Sequence, residues 1–244
     1  MSAGNRSRTP FYGNDLAEVH AEAFEALAEA AATTLTHRLG AADTTGTVLD
    51  LGCGAGPLSR RLVAEGYSTW GVDISAALIR LARSRLPEGA FTRASILDVA
   101  LPSAVAVAAV GEVMNYATAR DPEDLTALFQ KVFAALEPGG VFLFDLAGPG
   151  RAGAGRGFSE GRGWAVGLAA TEDGPRLTRT ITTFRQMEKG GWRRSAETHR
   201  LRLWPQDEVQ KRLAACGFEV ELRSGYDDVL MPPALHVYLA TKPR

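Results

Sequence analysis

Between residues 47 and 146, short apolar runs alternate with segments of helical periodicity, and no other feature of the chain restricts its fold as much. The runs fall at 47–51, 68–73, 90–93, 105–110 and 141–146, and the fourth is apolar throughout. Short apolar runs of this kind suit strands covered on both faces, as in a parallel sheet. The segments between them predict helices over 58–65, stopped by Gly66, and over 75–86, closed by Pro87. A third is predicted over 121–136, with Pro122 in its first turn and Pro138-Gly139-Gly140 ending it. A strand–helix alternation of this length predicts an α/β, Rossmann-like, doubly wound and mostly parallel sheet.

The flanks read differently. Leu16, Val19, Ala23, Phe24, Leu27 and Leu35 recur near helical spacing, which predicts one long helix over 14–39 with Asn14 as its cap. Residues 147–163 hold seven glycines with Arg151, Arg156 and Arg162, and predict a mobile loop or lid. β-like runs at 164–170, 177–185 and 192–203 are separated by Asp173-Gly174-Pro175 and Gly190-Gly191, turn sequences that predict an antiparallel insertion. A last helix over 206–216, ended by Gly217, precedes final strands at 218–223 and 235–241. The expected organisation is one domain over 1–244. It divides into an N-terminal helical cap (1–46), a cofactor-binding half (47–146), a lid loop and β insertion (147–203), and a C-terminal helix with the final strands (204–244).

Composition sets outer bounds. With 45% hydrophobic residues the chain can form a sizeable core, and a net charge of -1 directs it toward neither nucleic acid nor an anionic membrane. Cys53 and Cys216 lie far apart and make neither a disulfide framework nor a zinc knuckle. His20, His37, His199 and His236 have no metal-binding spacing, so no metal is expected. Residues 1–15 lack the apolar core of a signal peptide, and no run approaches the ~20 apolar residues of a membrane span. The cytoplasm is the expected location.

The strongest chemical signal is Val48-Leu49-Asp50-Leu51-Gly52-Cys53-Gly54-Ala55-Gly56, at a strand end just before a helix. Glycines there permit a tight turn and let a ligand approach backbone N–H groups. In open α/β sheets ligands bind at the carboxyl ends of strands. Asp50 narrows the choice of ligand. A carboxylate at the strand tip repels a pyrophosphate and suits a ligand carrying an ammonium group. The glycines recur at every second residue, and the third glycine of a dinucleotide fingerprint falls on Pro57. Both features count against a nucleotide-binding oxidoreductase.

This segment resembles motif I of the class I S-adenosylmethionine-dependent methyltransferases. The resemblance extends to Pro138-Gly139-Gly140 before the fifth strand and to Ala214-Ala215-Cys216-Gly217-Phe218 near the end. It implies a seven-stranded sheet with one reversed strand, formed with the last two strands. It also implies S-adenosylmethionine as cofactor, S-adenosylhomocysteine as product, and in-line displacement of the methyl group by an acceptor's lone pair. The implied cofactor contacts are Asp50, Gly52, Cys53, Gly54 and Gly56, then Asp73 for the ribose with Ile74 beside it. Asp73 also suits a helix cap. Ser95, Ile96 and Leu97 fall where the family flanks the adenine. Ser95 departs from the family's common aspartate there, and Asp98 is either its polar substitute or a loop residue. Tyr12, before the first helix, matches a tyrosine that closes over the cofactor, or serves as an aromatic anchor.

In Gly111-Glu112-Val113-Met114-Asn115-Tyr116 the family places the reacting centre. Gly111 is an implied cofactor contact, and a carboxylate or aromatic face near a sulfonium is physically sensible. Glu112 and Tyr116 are the candidates; their alternatives are an ion pair with a lid arginine and core packing. His199 is a candidate base, or a structural histidine. Within residues 151–200, ten Arg or Lys face five Asp or Glu, forming either a solvated face or a grip for an acidic substrate through Arg151, Arg156 or Arg162. The central insertion loosely resembles that of small-molecule methyltransferases, including sugar and amine N-methylating ones. The Asn/Asp-Pro-Pro-Tyr/Phe motif of nucleic-acid methylation is absent after strand four. A small-molecule acceptor is therefore expected, with no nucleic-acid or membrane partner; the insertion hairpins either form a homodimer interface through an exposed strand edge or shape the pocket of a monomer. A non-catalytic S-adenosylmethionine-binding protein remains an alternative to the enzyme.

Overall fold

A computed structural model describes residues 12–23, 25–42, 44–227 and 229–244. Residues 1–11 of the expected N-terminal cap, and Phe24 of its expected helix, lie outside the described residues.

The alternating region folds as its pattern requires. Strands β1 (Thr47–Leu51), β2 (Ser68–Asp73), β3 (Ala90–Arg93), β4 (Ala104–Ala109) and β5 (Leu136–Ala147) pair in parallel. With β10 (Glu219–Arg223) and β13 (Leu235–Thr241) they form one seven-stranded sheet in the order β10-β13-β5-β4-β1-β2-β3. β13 runs antiparallel to both its neighbours, so it is the reversed strand. This is the expected α/β, Rossmann-like sheet.

Period-two alternation sorts the strand side chains into two cores. Leu49, Leu51, Phe142 and Phe144 pack with α6 (Glu123–Ala135) and α7 (Gln206–Ala215). Val48, Ala106, Ala108 and Leu143 face α2 (Ala26–Gly40) and α3 (Pro57–Ala64) on the other side. A further helix, α4 (Ala76–Arg85), follows β2 and is capped by the Ser75 hydroxyl, which accepts from Leu78 N–H.

Three local expectations are corrected. The predicted 14–39 helix is two helices, α1 (Asn14–Ala23) and α2. Its alanine-rich sequence contains no breaker. The break arises because α1 packs Ala17 and Ala21 on α4, whereas α2 packs on α3 and the sheet. Glu25, between them, pairs with Arg60 and Arg85. Asn14 opens α1 rather than capping it; Gly13 C=O accepts the first helical bond, and Asn14 Oδ1 accepts from Arg80. The Pro138-Gly139-Gly140 turn lies inside β5, where pairing with β4 slips register between Ala104 and Ala106. Proline has no N–H to donate, and the irregularity accommodates it.

The expected lid region also differs from a plain loop. Turns continue to residue 155, but β6 (Arg156–Gly161) then pairs with β7 (Trp164–Asp173). β8 (Arg176–Gln186) and β9 (Trp192–Arg202) complete a four-stranded antiparallel sheet. The ladder is continuous because glycines at 161 and 163 close a tight turn and put 156–161 in register with β7. Arg185 pairs with Glu18 and Glu22, and Arg193 with Asp15, tying this sheet to α1. A short helix, α5 (Val113–Ala117), and a hairpin of β11 (Gly225–Tyr226) and β12 (Val229–Leu230) were not signalled by periodicity. Among the described residues no helix is long and apolar enough to cross a membrane.

Candidate active site

A cleft of about 1250 Å³ opens beyond the carboxyl ends of β1, β2 and β4, with α1 and its leading segment above it. Its floor is the turn between β1 and α3. Gly52, Gly54 and Gly56 all have positive φ, at 75°, 55° and 79°. Their reasons differ. A Cβ on Gly52 would strike both methyls of Val113, and one on Gly56 would press on Phe91. A Cβ on Gly54 would meet nothing within 4 Å, since that residue borders the open cleft.

Two buried carboxylates line the same wall. Asp50 is at the end of β1, and its Oδ2 accepts from the Ser59 hydroxyl at 2.7 Å. Burial pushes its pKa up to about 6, against the Ser59 bond. Asp73 ends β2 and receives Gly54 N–H at 3.0 Å and Ser75 N–H at 2.7 Å, one on each oxygen. Burial also raises its pKa, opposed by those backbone donors. Asp73 thus joins the glycine turn to the start of α4, and each oxygen keeps acceptor capacity for a ligand.

Ile74, Ser95, Ile96 and Leu97 continue the lining, with exposed Asp98 at the rim. The Ser95 hydroxyl accepts from Leu97 N–H at 3.2 Å. Lys131 on α6 organises this loop: its ammonium donates to the carbonyls of Ile96, Leu97 and Val99 at 2.7, 2.8 and 3.0 Å. Tyr12 and Tyr116 close the far side, with ring centroids 6.4 Å apart. Burial raises both phenols above the ordinary tyrosine range.

Other predicted site residues have different surroundings. Cys53 borders the cleft, but its thiol is pushed up by burial and packs against Ile79, Ala82 and Phe91. Gly52 and Cys53 both give their N–H to Val72 C=O, so these donors are already used by the fold. Gly111 lines the cleft, whereas Glu112 does not. The Glu112 carboxylate is clasped by Arg151, at 2.6 Å, and by Arg179. Burial opposes its ionisation, but the bonds and charge of Arg179, joined by Arg151, hold it below the ordinary glutamate range. The alternative of an arginine pair is therefore the geometry present. Arg156 and Arg162 are exposed. His199 is buried behind Tyr116, with Nδ1 3.2 Å from the tyrosine hydroxyl.

Several organising residues were not singled out from the sequence. Asp145 on β5 accepts from Gly111 N–H, Glu112 N–H and the Tyr226 hydroxyl at 2.8, 2.6 and 2.6 Å, and so fixes the turn after β4. Its signal was an acid inside an apolar run. Asn115 bridges Ala147 and the carbonyl of Arg202, joining α5 to the insertion. Arg179 and Glu197 stood among many surface charges and gave no signal. Lys242, just after β13 and away from the cleft, donates to the carbonyls of Phe133 and Leu136.

A family model described as a methyltransferase domain matches residues 23–222. The chain belongs to the class I S-adenosylmethionine-dependent methyltransferases. YqeM of Bacillus subtilis (strain 168), named for a methyltransferase function, is 24% identical over 193 residues, which is 72% of this chain and 74% of that protein. The fold of the methyltransferase matches a solved S-adenosylmethionine-dependent methyltransferase from Clostridium acetobutylicum ATCC 824 with TM-score 0.81, at 17% identity, covering 95% of this chain and 99% of that one. The sugar N-methyltransferase KedS8 from Streptoalloteichus sp ATCC 53650 superposes with TM-score 0.76 at 23% identity, covering 100% of this chain and 99% of KedS8.

Proposed function

We propose that this methyltransferase moves the methyl group of S-adenosylmethionine to a nitrogen or oxygen nucleophile of a small molecule, releasing S-adenosylhomocysteine. The observation that carries the site map is the pair of buried carboxylates, Asp50 and Asp73, on one cleft wall beside the open face of Gly54. This donor set fits the group. Asp50 suits an ammonium, and Asp73 has lone pairs left for ribose hydroxyls. Ile74, Ile96 and Leu97 offer apolar faces to an adenine, and Ser95 a hydrogen-bonding edge. Tyr12 covers the cleft, and Gly111 leaves the turn open near the reacting centre.

When bound, S-adenosylmethionine supplies an electrophilic methyl group on a sulfonium. The chain's own residues then align the acceptor and exclude water. Tyr116 presents an aromatic face to a cationic centre. Glu112 acts at one remove by holding Arg151 and Arg179 around the turn. KedS8 is named as acting on a sugar nitrogen, and its match over the whole chain, insertion included, supports nitrogen.

The test is thermal melting of the full chain with S-adenosylmethionine, S-adenosylhomocysteine and NADH added separately, followed by calorimetry. A ligand that binds only the folded state raises the melting point. Stabilisation by the two adenosyl sulfur compounds alone, lost in Asp50→Asn and Asp73→Asn, supports the assignment. Stabilisation by NADH alone, or retained affinity in both variants, overturns it.

A further inference from the structure

The turn after β4 holds a conformation that its own residues do not favour. Gly111 and Glu112 both have positive φ, at 91° and 60°, and the left-handed region is costly for a glutamate. Their N–H groups converge on one carboxylate. Gly111 donates to Asp145 Oδ2 at 2.8 Å, and Glu112 to Asp145 Oδ1 at 2.6 Å. The Tyr226 hydroxyl, from β11, donates to Oδ2 at 2.6 Å. Asp145 is 0% exposed and does not itself line the cleft. The turn does, through Val110 and Gly111. Helix α5 continues from it, with Glu112 C=O accepting Asn115 N–H at 3.0 Å.

The hold depends on charge. A neutral carboxyl carries a hydrogen of its own and accepts more weakly, so its grip on the two N–H groups slackens. Burial pushes Asp145 up to about 6, opposed by the Gly111 N–H, the Tyr226 hydroxyl and the Glu112 N–H, and the Glu112 carboxylate adds to the rise. That carboxylate is met by Arg151 and Arg179. On β13 the residue opposite Asp145 is the apolar Val237. On β1, two strands away across β4, stands Asp50. In the β11–β12 hairpin, Asp227 is engaged by His37 of α2 and by Arg223.

We propose that Asp145 in its charged form is a positioning residue for methyl transfer: its carboxylate holds the Gly111–Glu112 turn, and with it the start of α5, in the shape that lines the cleft near the reacting centre. This rests on the methyl-transfer reading above. Asp145 reaches the cleft only through the backbone of the turn. When it takes a proton the turn slackens and the acceptor loses its alignment, while the glycine turn and Asp73 stay in place. Methyl transfer then slows in acid for a reason separate from cofactor binding. Tyr226 sets where this happens from a position outside the cleft lining. Its hydroxyl favours the charged form of Asp145, so removing it moves the transition to higher pH.

The experiment labels the full chain with 13C-carbonyl valine and 15N-glycine, which together mark the Val-Gly pairs Val110-Gly111 and Val166-Gly167. The Gly111 amide is expected to titrate with a midpoint near pH 6 in the wild type. In Tyr226→Phe, which loses one hydrogen bond to a charge, the midpoint is expected about one unit higher, with Gly167 as the internal reference. A Gly111 amide that does not titrate between about pH 5 and pH 8, or a midpoint equal in both proteins, overturns the proposal. A second arm measures transfer from saturating, methyl-labelled S-adenosylmethionine to a panel of primary amines, secondary amines and alcohols. The acid limb of kcat is expected to move up by about one pH unit in Tyr226→Phe, with the plateau at high pH unchanged. Asp145→Asn is expected to lower kcat about 100-fold at every pH, with the KM for S-adenosylmethionine little changed. An acid limb that stays in place in Tyr226→Phe, or wild-type kcat in Asp145→Asn, also overturns the proposal. A wild-type protein that fails to bind S-adenosylhomocysteine in calorimetry at about pH 8 refutes the methyl-transfer reading instead.

Discussion

Asp50 combines a cost to the fold with a use for the site, and Asp50→Asn separates the two. Burial raises its pKa from 3.8 to about 6. At 1.36 kcal/mol for each pH unit, the fold disfavours the ionised carboxylate by about 3 kcal/mol. Because the folded pKa lies above the unfolded one, the native state holds the proton more tightly. The stabilising contribution is therefore complete below about pH 3.8 and is lost as pH rises through about 6. Asparagine keeps an oxygen for the Ser59 hydroxyl but carries no charge. In urea unfolding without ligand, Asp50→Asn should gain up to about 3 kcal/mol at pH 7.5, about half of that at pH 5, and nothing at pH 3. Ligand binding should respond in the opposite sense. A ligand ammonium requires the ionised carboxylate, so wild-type affinity for S-adenosylhomocysteine should fall about tenfold for each pH unit below about 6, and the asparagine variant should lack that dependence. An asparagine variant less stable than wild type at pH 7.5, or one that keeps the pH dependence of binding, would refute this account.

Other substitutions probe the parts that hold the cleft in shape. Gly52→Ala should lower stability by roughly 2–3 kcal/mol, from clash and positive φ together, and adding Val113→Ala should recover part of the loss in chemical denaturation. Lys131→Met removes the donors to three loop carbonyls; calorimetry should show S-adenosylhomocysteine affinity about tenfold weaker, and an unchanged affinity would mean the loop holds its own shape. Glu112→Gln leaves Arg151 and Arg179 without their carboxylate and should cost about 3–5 kcal/mol of stability by urea titration. Tyr226→Phe deletes one donor to Asp145 and should cost about 1–2 kcal/mol, read in the same assay.

The sequence alone determined the class of sheet, the turn that floors the cleft and the two acids beside it. The reason is locality: a strand's period, a glycine's φ and an acid at a strand tip are set within a few residues of one another. Asp50 and Asp73 were legible for that reason, and both line the cleft. Only the tertiary structure decided what lies far apart in sequence. The break between α1 and α2 has no local signal and follows from packing each helix on a different neighbour. Glu112 reads equally as an acid facing a ligand or as one paired with an arginine until Arg179, 67 residues away, is folded against it. Lys131 and Asp145 organise loops 32 to 35 residues away, and Glu197 meets Gly13 across 184 residues. In each case a buried polar group needs a partner, and which partner reaches it is set by how the sheets and helices pack.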